Sequence, residues 1–276
     1  MVKFYDRIPD SHIAWIEKQH LFYVATAPLS GDGHVNLSPK GMNGTLHIES
    51  NSRIWYEDLS GSGVETISHL RENGRVTLMF CALDGAARIL RIWGRGTVHE
   101  LGTPGYAALV PPERRRAGSR AAIVVDVHKV GTSCGYAVPL YAFRGERSAL
   151  DIWAEKLERR DREPAAGADT VTVDTEVGLR VYAKDGLKAW WAAMNQRSLE
   201  GLPGLRRAHL SDAVLESAPR VYGEQKSPAS RRQAGSEVVE VNVAGVLPRG
   251  MAEAVRLVMV FVLGLALASV YGRAVR

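Results

Sequence analysis

The chain has 276 residues, 46% of them hydrophobic and 24% charged. This balance fits a globular protein with a sizeable core and argues against a wholly disordered, collagen-like or polytopic membrane chain. The 35 basic and 30 acidic side chains leave a net charge of +5, which favours anionic partners without selecting one. Cys81 and Cys134 lie far apart and outside any CxxC spacing, which argues against a disulfide framework or a cysteine-rich zinc site and fits a reducing compartment.

Residues 1–10 carry Lys3, Asp6, Arg7 and Asp10 without an apolar run, so no secretory signal is expected there and a cytoplasmic body is. Beyond them, short β-branched and aromatic runs predict strands at 21–27, 34–38, 45–48, 53–57, 76–82, 87–93 and 121–130. Gly31-Asp32-Gly33 and Asp84-Gly85 read as hairpin turns, so neighbouring strands are expected to be antiparallel. Such a run of hairpins points to a barrel or sandwich and away from a parallel doubly wound sheet.

One helix is expected at 61–74. Ser62 and Glu65 have capping-box spacing, Val64, Ile67 and Leu70 form an apolar stripe, and Gly74 supplies a left-handed stop. The start of such a helix concentrates unpaired N–H groups and positive dipole, so a phosphate there is expected to meet the Ser62 and Thr66 hydroxyls. The competing reading is that Ser62 only caps its own helix. Lys40, Arg88 and Arg91 on neighbouring strands are candidates to converge on the same anion. Alternation places Asn36 and Ser38 on one strand face and Leu37 on the other, and sets Arg88 and Arg91 on opposite faces. Arg91 is the one assigned to the site, the alternative being an exposed edge charge. The anion reading requires the Lys40 ammonium and the amides opening the Val64 helix to meet at one dianionic group.

Arg114-Arg115-Arg116, with Arg120 nearby, follows Pro111-Pro112-Glu113 with no interleaved aromatic residue. A solvated loop is expected, with no nucleic-acid partner. Two further amphipathic helices are expected, one carrying Leu150, Trp153 and Leu157, the other starting near Asp185 with Leu187, Trp190, Trp191 and Met194. Their tryptophans are expected to pack against the barrel, and 159–169 reads as a surface loop. The polar stretch 220–237 reads as a linker. Residues 257–272 form an uncharged run of 16 residues, about 24 Å as a helix against a hydrocarbon core of about 30 Å, and are a candidate membrane anchor. The expected organisation is a barrel at 1–145, a helical extension at 146–219, a linker at 220–250 and an apolar tail at 251–276. The eight histidines show no HExxH or HxH spacing, so no metal site is expected.

Four segments resemble one family in their order. They are His34-Val35-Asn36-Leu37-Ser38-Pro39-Lys40-Gly41, Trp55-Tyr56-Glu57-Asp58-Leu59-Ser60-Gly61-Ser62-Gly63, Glu72-Asn73-Gly74-Arg75, and the strand at 89–96. Together they resemble the pyridoxamine 5'-phosphate oxidase-like FMN-binding split barrels over residues 10–145. Residues 134–141 and 198–204 resemble segments of one subgroup. The resemblance implies a six-stranded antiparallel split β-barrel; with the peripheral helices and the C-terminal apolar helix read from the residue pattern, the expected fold is β-rich α+β. The resemblance also implies a homodimer with FMN in clefts at the subunit interface. On the same ground Ser38 and Lys40 border the flavin or its phosphate, Ser62 and Thr66 give hydroxyls to the phosphate, Arg91 reaches it or the facing subunit, and Tyr56 packs near the ring. True pyridoxamine phosphate oxidases carry an arginine–glutamine strand motif, where this chain has Arg88-Ile89-Leu90-Arg91, and a C-terminal arginine- and histidine-containing segment, for which it has no match. Oxidation of pyridoxamine phosphate itself is therefore not expected. The expected function is an oxidoreductase passing hydride between flavin and a small molecule, with no catalytic residue assigned, because flavin chemistry needs no protein nucleophile. The alternatives are a noncatalytic binding module, a deazaflavin or haem in place of FMN, and a membrane-tethered scaffold.

Overall fold

In chain order the elements are β1 (Lys3–Tyr5), α1 (Asp10–Glu17), β2 (Phe22–Thr26), β3 (Asn36–Lys40), β4 (Leu46–Ser50), β5 (Arg53–Leu59), α2 (Glu65–Asn73), β6 (Arg75–Cys81), β7 (Ile89–Glu100), α3 (Pro104–Leu109), β8 (Ser119–Ser133), α4 (Ala149–Arg162), β9 (Thr170–Thr175), β10 (Gly178–Ala183) and α5 (Leu187–Met194), then a short 3-10 helix at Ala208–Leu210. The computed structural model describes residues 2–163, 167, 169–175, 177–211, 215 and 217.

The period of two decides the sheet. In β2, Phe22, Val24 and Thr26 are buried while Tyr23 and Ala25 are half-exposed, and β6 and β7 repeat the pattern with Val76, Leu78, Phe80, Leu90 and Ile92 inside. All seven predicted strands are present. The strands lie in the order β3-β2-β6-β7-β8-β5-β4, with β1 paired to β8, and every pairing is antiparallel. The sheet thus has eight strands, not the six expected. The eighth, β1, is three residues long, too short to display a period.

Although β3 and β5 are far apart in that order, Lys40 Nζ of β3 donates to Asp58 Oδ1 of β5 at 2.8 Å. Phe22 of β2 meets Tyr56 of β5 edge-on, ring centroids 5.6 Å apart. The sheet therefore curls until its ends face each other, and the interior is filled by Phe22, Ile54, Tyr56, Phe80, Ile92 and Ile123. Burial of such side chains at about 1.5–3 kcal/mol each is the main force holding the curl.

The two helices predicted after the barrel are α4 and α5. Trp153 and Trp190 meet edge-on at 5.3 Å, and Leu187 and Trp191 enter the barrel's own core. The extension is not purely helical, because the antiparallel hairpin β9–β10 sits inside it. Helices α1 and α3 were missed. Only Ile16 is buried on α1, and α3 has six residues, including Pro104 and Gly105, so neither carries a legible stripe.

The arginine-rich loop corrects the sequence reading. Arg115, Arg116 and Arg120 are 3%, 6% and 4% exposed. Arg115 donates to Glu158 Oε1 at 2.7 Å and to the Ser119 carbonyl at 2.9 Å. Arg116 grips both oxygens of Asp151 at 2.8 Å. A guanidinium can be buried only if it is paired, and both acids come from α4, 43 and 35 residues away, beyond the reach of a local pattern. The predicted linker and apolar tail, 220–250 and 251–276, lie outside the described residues. Among the described residues no helix is long and apolar enough to cross a membrane.

Candidate cofactor-binding site

Strand β3 presents Asn36, Ser38 and Lys40 on one face, and Leu37 is turned away and 61% exposed. Opposite this face stands the start of α2. Its N-cap is Val64, with φ −135° and ψ 11° and no side-chain cap, so Ser62 does not cap the helix as its spacing predicted. Gly74 ends the helix at φ 71°, as expected. The first-turn N–H groups of α2, which have no acceptor within the helix, border a cavity of about 350 Å³ with Ser38, Lys40, Ser62, Thr66, Glu57 and Arg120 on its walls. That volume lies within the range of small-molecule sites.

A buried ion cluster holds the cavity's floor. Asp58 is fully buried and accepts from Lys40 Nζ at 2.8 Å and from Arg120 Nε at 2.9 Å. Burial alone pushes its carboxyl pKa up, but the two cations outweigh it and hold the group at about 2. Lys40 and Arg120 share this one carboxylate, and Glu57 and Glu65 also border the cavity, so its walls carry charges of both signs. Arg120 also donates to Asn195 Oδ1 at 2.8 Å and to the Gly63 carbonyl at 3.0 Å. Asn195 holds the Gly61 carbonyl at 3.0 Å, and Ser60 bonds the Gly118 carbonyl and the Trp191 indole N–H. The turn leading into α2 is thereby fixed from three sides.

The other wall is a chain of neutral polar groups. Asn36 Nδ2 lies 3.1 Å from Thr26 Oγ1 and 3.0 Å from Thr66 Oγ1, and Ser38 Oγ lies 2.9 Å from Asn36 Oδ1. Thr26 continues to Nδ1 of the buried His69 at 3.0 Å.

Four residues assigned from the sequence, Ser38, Lys40, Ser62 and Thr66, line this one cavity. Lys40 and the opening of α2 therefore meet as the anion reading required. Tyr56 is 1% exposed in the barrel interior, with Lys40 Nζ 5.9 Å from its ring centre, beneath the cavity and not on its wall. Burial, the main cause, raises its phenol pKa well above the ordinary value. Arg91 lies on the outer face of β7 between Met79 and Gly131, because Leu90 and Ile92 take the inner face. Arg88 lies over the Trp15 ring at 5.2 Å. The cation that joins Lys40 is Arg120, which the sequence reading assigned to a solvated loop. Asp58 was also missed, although alternation from Ile54 and Tyr56 sets it on the inward face of β5, where a carboxylate demands a cation.

A model of the family described as pyridoxamine 5'-phosphate oxidase matches residues 8–134. The pyridoxamine 5'-phosphate oxidase family protein ustO of Aspergillus flavus is 36% identical over 208 residues, covering 74% of this chain and 78% of the relative. Among solved structures, HupZ of Group A Streptococcus matches at 19% identity over 45% of this chain and 91% of that one, with a TM-score of 0.34. An FMN-binding protein from Syntrophomonas wolfei matches at 12% identity over 43% and 80%, with a TM-score of 0.31.

Proposed function

Because the chain belongs to the pyridoxamine 5'-phosphate oxidase family, we propose that the cavity between β3 and α2 binds FMN and that the protein is an oxidoreductase acting on a small molecule. The observation that carries the reading is the meeting of Lys40, Arg120, Thr66 and the unpaired amides of α2 around a single cavity. Helix amides and dipole, hydroxyls and two cationic side chains are the donor set that a phosphate dianion needs.

In this reading the phosphate sits at the α2 N-terminus, bonded by Thr66 and Ser62, with Lys40 and Arg120 offsetting its charge and Ser38 bordering the rest of the molecule. Asp58 does not touch the ligand; it orients the two cations. Bound FMN would supply the hydride chemistry, which none of these side chains supplies. Pyridoxamine phosphate is not the proposed substrate, since the C-terminal segment that grips it has no match here.

The reading includes a homodimer. Tyr23, Met79, Ile89 and Trp93 lie half-exposed on the outer face of β2, β6 and β7, with Arg91 among them. An apolar sheet face of this kind is suited to a second copy, and Arg91 would then act across the interface.

Titration of the purified chain with FMN, followed by flavin fluorescence and thermal unfolding, tests the proposal. Saturable quenching is expected, with stability rising by about 2.7 kcal/mol at a free ligand concentration a hundred times Kd. Folded protein that gives neither quenching nor a rise in Tm would falsify it. Reduction of the bound flavin by nicotinamide cofactors then separates an oxidoreductase from a noncatalytic binding module.

A further inference from the structure

A hydrogen-bond chain runs from the cavity wall to His69 of α2, and beyond it the other ring nitrogen faces a carboxylate of the turn at residues 198–202. Glu200 Oε1 accepts the His34 backbone N–H at 3.0 Å and lies 3.3 Å from His34 Nδ1. The same backbone donor is the main cause that holds the Glu200 carboxyl down at about 2. The other oxygen, Oε2, takes the Ser198 hydroxyl at 3.2 Å and lies 3.6 Å from Nε2 of His69. The His69 side chain is fully buried.

At 3.6 Å the contact between Oε2 and Nε2 is longer than a hydrogen bond, and Nε2 has no hydrogen-bond partner among the described residues. The carboxylate acts on it through its charge, which favours a hydrogen on the ring nitrogen that faces it over a bare lone pair. Neutral imidazole has one N–H. With that hydrogen on Nε2, Nδ1 is an acceptor, and Thr26 donates its hydroxyl hydrogen across the 3.0 Å contact. Having given up its hydrogen, Thr26 accepts one N–H of Asn36. The second N–H of the same amide goes to Thr66, and its oxygen accepts from Ser38. Each group's role follows from its neighbour's, and the sense of the whole chain is set at Glu200. At the cavity, Thr66 keeps its own hydrogen, for which the described residues supply no acceptor, while Ser38 has spent its hydrogen and presents lone pairs. Flipping the Asn36 amide would reverse both roles, but it would require Nδ1 to carry the hydrogen and leave bare Nε2 against the carboxylate.

We infer that Glu200 and His69 are positioning residues that fix the direction of this chain, making Thr66 a hydrogen donor to an anionic oxygen and Ser38 an acceptor for a ligand O–H or N–H. The inference rests on the flavin reading only for the identity of the ligand. In that reading, Thr66 serves the phosphate of FMN and Ser38 a hydrogen-bearing group further along the molecule.

Two measurements test it. Heteronuclear NMR of the imidazole nitrogens in the ligand-free chain, at neutral to mildly basic pH, should find the His69 hydrogen on Nε2; a hydrogen on Nδ1 overturns the inference whatever the ligand. Binding of FMN and riboflavin is then compared across variants. His69→Leu should weaken FMN about tenfold, one charge-assisted hydrogen bond, and riboflavin by clearly less, since riboflavin lacks the phosphate that Thr66 serves and keeps only the group that faces Ser38. His69→Asn, whose carbonyl can accept from Thr26 in place of Nδ1, should restore FMN binding. Equal weakening of both ligands without rescue would reduce His69 to a packing role and sink the inference. A wild-type chain that bound neither flavin but kept the Nε2 hydrogen would remove FMN as the ligand and leave the chain's direction supported.

Discussion

Two parts of the curled sheet are closed by different forces. From β6 through β7 to β8 the strands share long backbone ladders, shifted in register once between Trp93 and Gly94, and the side chains beneath them, such as Leu78, Leu90, Ile92 and Val130, are apolar and buried. Between β3 and β5 side chains make the bridge: Lys40 reaches Asp58, and Asn36 reaches Thr66 at the head of α2. A ladder brings backbones within about 5 Å and leaves no room for a ligand. A seam held by long polar side chains leaves both space and uncommitted hydrogen-bonding groups, and the cavity lies there.

The largest expected effect breaks the ladder side alone. Leu78→Ala should cost about 2–5 kcal/mol by deleting a fully buried side chain, seen as a Tm lower by several degrees, with FMN affinity of the folded fraction unchanged. A parallel loss of affinity would show that the two regions are not independent. The next effect belongs to the seam. The Asp58 carboxyl has a folded pKa of about 2, below the ordinary 3.8, so its contribution is complete above about pH 4. As pH falls toward 2 the protonated form loses its two cations and about 2 kcal/mol of stability disappears. Acid unfolding followed by circular dichroism should show this dependence, and Asp58→Asn should remove its share, leaving the part that belongs to Glu200, whose carboxyl is held equally low. The smallest effect sharpens the picture at the cavity rim. Glu65 borders the cavity, so Glu65→Gln, by removing a like charge beside the phosphate, should tighten FMN about two- to fivefold, less at high salt.

What the sequence reading found and missed follows the same division. Seven strands and the α2 stripe were legible because burial on one face imprints a period on neighbouring residues. Ser38, Lys40, Ser62 and Thr66, which line one cavity, could be singled out because strand alternation and a helix start are also local. The capping box at Ser62 and Glu65 failed because tertiary bonds override it. Asn195 and Arg120 hold the carbonyls of Gly61 and Gly63, and the helix begins only after that fixed turn. Arg120 and Glu200 stayed hidden because their partners lie far away along the chain, Arg120 62 residues from Asp58 and Glu200 166 residues from His34.

The amino-acid order alone determined which seven segments are strands, where two hairpins turn, and where a helix opens. Those choices depend on side-chain patterns a few residues long. Only the folded chain decided which charges are buried, which cation stands beside Lys40, and which carboxylate orients the wall of the cavity. A charge taken out of water must find its counterpart in space, and the fold can bring that counterpart from anywhere in the chain.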